Sequence, residues 1–313
     1  MIVVAGEALQ DLVPSGAPRG WTAYPGGSPC NTAVAAARLG ARTAFLGRLS
    51  RDVFGQDIRA HLAAAGVDLT TVVDADEPST LAVVSTDAEG VATYGFYYLG
   101  TSDFAWREGD RAELPAGCRA VHVGSLASAV EPTAGLLASA VASAGPQVVR
   151  SYDPNVRPSL GLDKAEYRAL VERWVESTDL VRASQDDLAW LYPDTPPLQV
   201  AARWQSSGPR LVVVSCGADG AAAVLAGGEV HVPAQYVTVV DTVGAGDAFT
   251  AGLLVALDEA GALTRDGLAA LSAPALEPCL TFAATAAAAT CGRAGADPPS
   301  RPDLDSALEA ARG

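Results

Sequence analysis

The amino-acid sequence predicts an α/β fold: a mainly parallel sheet with helices on both faces, plus a small β-sheet appendage. Three observations carry that prediction. Strand-like apolar runs alternate with helical patterns through most of the 313 residues. Those runs are short, valine-rich and apolar throughout, as strands covered on both faces must be. Two segments break the alternation, turn-rich 12–25 and β-type 79–98, the second with consecutive strands that no helix separates, which suits an appended sheet.

Taken in order, "IVVAG" predicts the first strand, and "CNTAVAAARLG" a helix over 31–40 stopped by Gly40. "TAFLGRL" reads as one strand and "FGQDIRAHLAAAG" as a helix ending at Gly66. Then come a strand in "RAVHVG", a helix over 132–145, a strand in "QVVRSYD" and a helix over 163–176. "DLVRAS" predicts a strand, 185–191 a helix, "RLVVVSC" a strand, and 245–261 a long helix. The alanine-rich "LTFAATAAAATC" reads as a buried helix too short to span a membrane. The tail "GADPPSRPDLDSALEAARG" reads as a turn followed by a short helix. Of the interrupting segments, "LVPSGAPRGWTAYP" is turn-rich with room for a short strand, and "TLAVVSTDAEGVATYGFYY" is a hairpin around "DAEG". The expected division is a core of 1–11, 26–78 and 105–313 with an inserted β lid of 12–25 and 79–104.

Composition narrows the function. The formal charge of −15 disfavours nucleic acid and anionic membrane as partners, because both need a basic surface. Five scattered cysteines with no C-x-x-C pair suit a reducing cytoplasm. The first residues lack a basic stretch followed by a long apolar one, and read as a strand instead of a signal peptide. His61, His122 and His231 lie far apart without metal spacing. With Lys164 as the single lysine, a G-x-x-x-x-G-K-[ST] phosphate loop is excluded.

In an open α/β sheet, ligands sit beyond the carboxyl ends of the strands. Glu7 and Asp11, then Asp153, Asn155 and Arg157, then Ser184, Asp186 and Asp187 follow predicted strands, and Asp241 precedes a glycine turn. Asp241 opens "DTVGAGDAFTAG". There Gly244 and Gly246 free the backbone, and a helix beginning at the turn leaves N–H groups unpaired at its positive end. Gly244, Ala245 and Gly246 thus form an anion hole suited to a phosphoryl group. Asp247 stands inside that positive field. As a base it would accept the proton of an alcohol attacking the γ-phosphate; the alternative is a carboxylate that only caps the helix.

The longer string "VDTVGAGDAFTAGLL" resembles the carboxyl-terminal signature of the ribokinase-like sugar kinases, the PfkB family. "PGGSPCNTAVAAARLGARTAFLGRLSRDVFG", residues 25–55, resembles their amino-terminal signature, and "SYDPNVRPSL", "VVVSCGADGA" and "TCGRAGADPP" follow in order. "GEALQDLVP" and "GTSD" are most like the fructokinase branch. The resemblance implies a ribokinase-like three-layer α/β/α core with a β lid, and an ATP- and Mg²⁺-dependent sugar kinase with Asp247 as base. It assigns sugar contacts to Asp11, Gly26, Gly27, Asn31, Tyr98, Asp103 and Arg157. Asn31 reads equally as the N-cap of its helix, Asp11 as a solvated acid and Arg157 as a surface ion pair. Asn155, Ser184, Gly217, Gly220 and Gly246 fall on the nucleotide side, although "SCGADGA" is also an ordinary hairpin turn. The common N-x-x-E metal motif is replaced here by Ser184 and Asp187, with Asp187 reaching Mg²⁺ through water. Backbone carbonyls near Asp241, Val243, Thr290, Arg293 and Gly295 are expected to hold a monovalent cation, K⁺.

Fructose is the expected substrate and the cytoplasm the expected compartment. A 2-keto-3-deoxygluconate kinase is the nearest rival, followed by ribose or nucleoside kinases. A sugar acid wants a cation in the pocket, and "FYYLGTSD" has none. A regulator that binds without turnover is the reading from another class. A homodimer through the lid is a further expectation.

Overall fold

Successive residues of a strand face opposite ways, and here both sets are buried. In β1 (Ile2–Ala5), Ile2 and Val4 enter one apolar cluster while Val3 and Ala5 enter another. This chain is described by a computed structural model covering residues 1–15, 20–86, 92–107, 109–110 and 112–310.

The main sheet has eight strands. From one edge these are β14 (Gly228–Val232), β13 (Ala221–Leu225), β12 (Leu211–Ser215), β11 (Leu180–Ser184), β10 (Val149–Asp153), β9 (Ala120–Gly124), β1 and β4 (Thr43–Leu46). The run from β12 to β4 is parallel, while β13 and β14 join antiparallel. Helices α1 (Ser28–Arg38), α2 (Val53–Ala64), α7 (Ala245–Glu259) and α9 (Ala273–Cys291) supply the cluster containing Ile2. Helices α3 (Thr133–Ala142), α4 (Lys164–Ser177), α5 (Gln185–Leu191) and α6 (Pro197–Ser207) supply the other. Short α8 (Arg265–Ala269) and α10 (Arg301–Ala310) complete the chain. The expected three layers, with a mainly parallel sheet between helices, are present.

A separate four-stranded sheet has the order β3 (Trp21–Gly26), β2 (Leu9–Pro14), β7 (Leu81–Thr86) and β8 (Ala92–Tyr97). Segment 12–25 is therefore richer in strand than its composition suggests. β2 and β3 pair antiparallel from Leu9↔Gly26 to Pro14↔Trp21. Proline is tolerated because β3 is an edge strand and Pro14 ends its own. Residue 12, the expected lid boundary, falls inside β2. β7 and β8 form the expected hairpin; its "DAEG" turn lies outside the described residues.

Two further expectations are corrected. "TAFLGRL" divides at Gly47 into β4 and β5 (Arg48–Ser50), and β5 leaves the main sheet to pair parallel with β6 (Val73–Ala75). The helix expected over 31–40 starts at Ser28, because Pro29 suits a first turn, and its N-cap is Gly27. Asn31 is therefore not a cap but lies on the helix face.

Candidate active site

Helix α7 opens at a left-handed turn. Gly244 caps it with φ 76°, and a Cβ there would come within 2.7 Å of Ala296 Cβ. Glycine meets both conditions. No side chain caps this end; Ala245 N–H donates to the Thr242 carbonyl at 3.3 Å, and the other first-turn N–H groups and the positive end of the dipole are available to an anion.

Asp247, in the first turn of α7, is buried yet lines a cleft of about 720 Å³. Its Oδ1 accepts from Ser28 Oγ at 2.6 Å and its Oδ2 from Asn31 Nδ2 at 2.9 Å. Both donors stand on α1. Burial pushes the Asp247 carboxyl above its ordinary range, and the two hydrogen bonds pull against it. The carboxylate is thus oriented from α1 and faces the cleft, instead of capping its own helix.

The same cleft gathers Glu7, Asp11, Gly27, Asn31, Asn155 and Arg157. Asp11 reaches it from β2, lying against Gly26, where a Cβ would come 2.1 Å from Asp11 Oδ2. Burial pushes the Asp11 carboxyl up to about 6; the Asp247 charge adds to this and Arg157 opposes it. Glu7 accepts from Ala127 N–H at 3.0 Å, and burial pushes it up to about 7. Asn155 is held at φ 37° with its N–H donating to Asp153 Oδ1 at 3.0 Å. Arg157 Nη1 donates to the Val156 carbonyl at 3.2 Å, and the guanidinium enters no ion pair among the described residues. From the second sheet, Phe96 also lines this cleft.

A second cleft of about 670 Å³ meets the first at the start of α7. Ser184, Gly217, Gly220, Ala245, Gly246 and the exposed Tyr236 line it. The "SCGADGA" segment makes the turn between antiparallel β12 and β13, and its Gly217 and Gly220 line this cleft.

Among the expected site residues, Gly26, Tyr98, Asp103 and Asp187 line neither cleft, nor do Asp241, Thr290, Arg293 and Gly295. Asp103 is buried behind β2, where Oδ1 accepts from Ala8 N–H at 2.9 Å and Oδ2 from Thr80 Oγ1. Its carboxylate stitches the second sheet to the core. Tyr98 packs edge-on against Phe104, with ring centroids 5.6 Å apart. Asp187 completes a capping box on α5 with Ser184, whose Oγ donates to its Oδ2 at 2.7 Å, while Asp187 Oδ1 accepts from Val156 N–H at 2.8 Å.

Around the expected cation site, Asp241 ties two loops together. Its Oδ1 accepts from Val243 N–H at 3.0 Å and its Oδ2 from Gly295 N–H at 2.9 Å. The Thr290 carbonyl accepts from Arg293 N–H at 3.0 Å. Among the described residues no group of three or more His, Cys, Asp or Glu is disposed to hold a metal ion.

Sequence reasoning missed Ser28 and Arg182. Ser28 meets Asp247 across 219 residues, which no local pattern reports. Arg182 left a signal: it is the one charge inside the apolar run "LVRAS" of β11. Its Nη1 donates to Asp153 Oδ2 at 2.8 Å, its Nη2 to Ser215 Oγ, and it lines both clefts.

Known proteins resemble this chain over most of its length. A model described as pfkB family carbohydrate kinase matches residues 1–303. The chain is 36% identical over 279 residues to a fructokinase of Rhizobium leguminosarum bv. trifolii, covering 88% of this chain and 85% of that one. A crystal structure of a Xylella fastidiosa fructokinase with bound ATP is similar with a TM-score of 0.88 at 26% identity, over 100% of this chain and 99% of that one. A fructokinase double mutant from Vibrio cholerae O395, in a fructose-, ADP- and potassium-bound form, is similar with a TM-score of 0.84 at 29% identity, over 98% of this chain and 97% of that one.

Proposed function

The chain belongs to the pfkB family of carbohydrate kinases, and we propose that it transfers the γ-phosphoryl group of ATP to a hydroxyl of fructose. The observation that carries the reading is the Asp247 carboxylate opening on one cleft from the first turn of the helix whose amino end borders the other. ATP occupies the cleft walled by Gly217 and Gly220, and the sugar the cleft containing Asp11 and Asn31. Asp247 accepts the hydroxyl proton as the oxygen attacks phosphorus. The N–H groups of Gly244, Ala245 and Gly246 stabilise the charge that spreads over the phosphoryl oxygens.

The charge of the acceptor cleft favours a neutral polyol. Glu7, Asp11 and Asp247 face it, against Arg157, which makes no ion pair among the described residues, and Arg182, whose charge is paired with Asp153. A sugar acid would add a fourth carboxylate, so a 2-keto-3-deoxygluconate kinase is the weaker reading. Asp11 accepts sugar hydroxyl hydrogens, and Asn31 and Asn155 supply amides that both donate and accept.

Magnesium enters as part of the MgATP substrate. Both oxygens of Asp187, the expected metal contact, already accept hydrogen bonds, Oδ2 from Ser184 and Oδ1 from Val156, which suits contact through water. For potassium, the tied loops of Asp241, Val243 and Gly295 suit a site built from backbone carbonyls. The second sheet contributes Asp11 and Phe96 to the cleft, which supports a role as a lid that excludes water over bound sugar. Trp21, Tyr24, Tyr97 and Leu99 on and beside that sheet are exposed, which favours its burial against a second copy. No helix among the described residues is long and apolar enough to cross a membrane; the free cysteines suit the cytoplasm.

The test is ADP release from MgATP across a panel of sugars and sugar acids. Fructose giving the highest kcat/KM supports the reading. A higher value with 2-keto-3-deoxygluconate would replace the substrate, and binding without turnover of any sugar would favour a regulator.

A further inference from the structure

Arg182, Thr242 and Gly246 line both clefts. A group that leaves one cleft for the other passes them. Two of the three belong to the turn and first helical residues of α7. Against them, from β11, lies a cation. Among the described residues Arg182 is the only lysine or arginine lining the donor cleft. The single lysine, Lys164, lies 4.8 Å from the Trp190 ring centroid and lines neither cleft.

Arg182 is fixed in place. Its side chain is 7% exposed and makes an ion pair with Asp153, which is 3% exposed. Ser215 holds the other arm of the fork, and Phe249 lies under the guanidinium at 5.6 Å. A Cβ on Gly246 would stand 3.0 Å from Nη1 and 3.2 Å from Nη2. The fork therefore packs directly on the amino end of α7. Its Nε is buried with no hydrogen-bond partner among the described residues. The Nε atoms of Arg48, Arg168 and Arg210 share that condition, so what Arg182 offers a ligand is the part of its side chain that lines both clefts.

Resting on the kinase reading above, we propose that Arg182 is a catalytic residue that contacts the phosphoryl group in transit between the clefts. The bond from the γ-phosphorus to the bridging oxygen breaks, and its electron pair leaves with ADP. The sugar oxygen bonds to phosphorus and its proton goes to Asp247. Arg182 exchanges no proton; its planar fork, packed on the amino end of α7, meets the phosphoryl oxygens beside the α7 N–H groups. Asp153 keeps the fork aimed, and offsets its charge before the nucleotide arrives.

The experiment compares wild type, Arg182→Lys and Arg182→Met for turnover and for binding of ADP with aluminium fluoride in the presence of fructose. Arg182→Met loses about 10³-fold in kcat, with both KM values within about threefold of wild type. Arg182→Lys, which keeps the charge but not the fork, restores at least about tenfold of that loss. The extra affinity that aluminium fluoride gives to ADP falls in parallel with kcat, while the affinity for ADP alone is kept. Turnover of Arg182→Met within about tenfold of wild type, or losses matched in ADP affinity alone, would overturn the proposal. Because Arg182→Met strands Asp153, the wild-type complex with ADP, aluminium fluoride and fructose gives a second readout. A guanidinium nitrogen within hydrogen-bond reach of a fluoride supports the contact; a fork bonded only to Asp153 and Ser215 overturns it. Failure of wild type to turn over any sugar would instead overturn the kinase reading, and this one with it.

Discussion

Ser28 Oγ lies 2.6 Å from Asp247 Oδ1, and each residue stands in the first turn of its own helix. Both helices start from glycines with positive φ, Gly27 at 96° and Gly244 at 76°. Two positive helix ends thus converge on one buried carboxylate. That field opposes the burial that pushes its proton affinity up, so Asp247 can be charged and still sit away from bulk water.

Ser28→Ala removes a donor that lowers the Asp247 pKa. With that donor gone, burial raises the carboxyl further, and the acid limb of kcat/KM moves to higher pH. An unsatisfied charged acceptor also costs about 1–3 kcal/mol of stability where Asp247 is ionised. A pH–rate profile checks the first effect and thermal unfolding at pH 8 the second. An acid limb that stays where it is in wild type would mean that another group sets it.

Asp11→Asn keeps shape and removes charge. Hydrogen bonds to a charged acceptor are worth about 1.5–3 kcal/mol, so the sugar KM should rise roughly 10- to 100-fold while the ATP KM moves less than about threefold. Burial lifts Asp11 to about 6, so wild-type kcat/KM for the sugar should fall as pH drops through that value. The variant should lack that component. Equal shifts in both KM values would place Asp11 outside the sugar contacts.

Glu7→Gln tests the cost of a buried acid. Burial raises Glu7 to about 7, above the value of about 4.3 in an unfolded chain. Below the unfolded value both states hold the proton and the group costs nothing. As pH rises, the unfolded chain releases its proton first, so folded stability falls until about pH 7 and then levels. Glutamine removes this term. The variant should be more stable than wild type at pH 8, by on the order of 2 kcal/mol, with a smaller gap at pH 5. Denaturant unfolding at the two pH values measures it, and a constant gap would exclude Glu7 as the source.

Much of this was legible in the sequence, for physical reasons. Strands covered on both faces are apolar at every position, so β1, β9 and β12 stand out without any partner being known. A glycine turn that opens a helix is a local event, and "GAGD" announces it. The fold could not be read where tertiary context overrides composition. β3 carries proline and still pairs, because it is an edge strand. Asn31 looks like a cap, but Pro29 lets the helix begin three residues earlier. Asp103 resembles a sugar contact in its motif, yet its oxygens hold Ala8 N–H and Thr80 Oγ1. Ser28 and Arg182 owe their roles to neighbours distant in the chain. Only the lone charge within β11 hinted at the second.

The most direct measurement is turnover by Asp247→Asn alongside its affinity for fructose. Removing a general base costs about 10²–10⁴-fold, so kcat should fall by about 10³-fold or more while fructose binding, followed by calorimetry, stays within about threefold. Asparagine cannot take the proton, yet it still accepts from Ser28 or Asn31 and keeps the cleft intact. Near-normal turnover in that variant would contradict the central claim that the carboxylate at the head of α7 receives the sugar's proton.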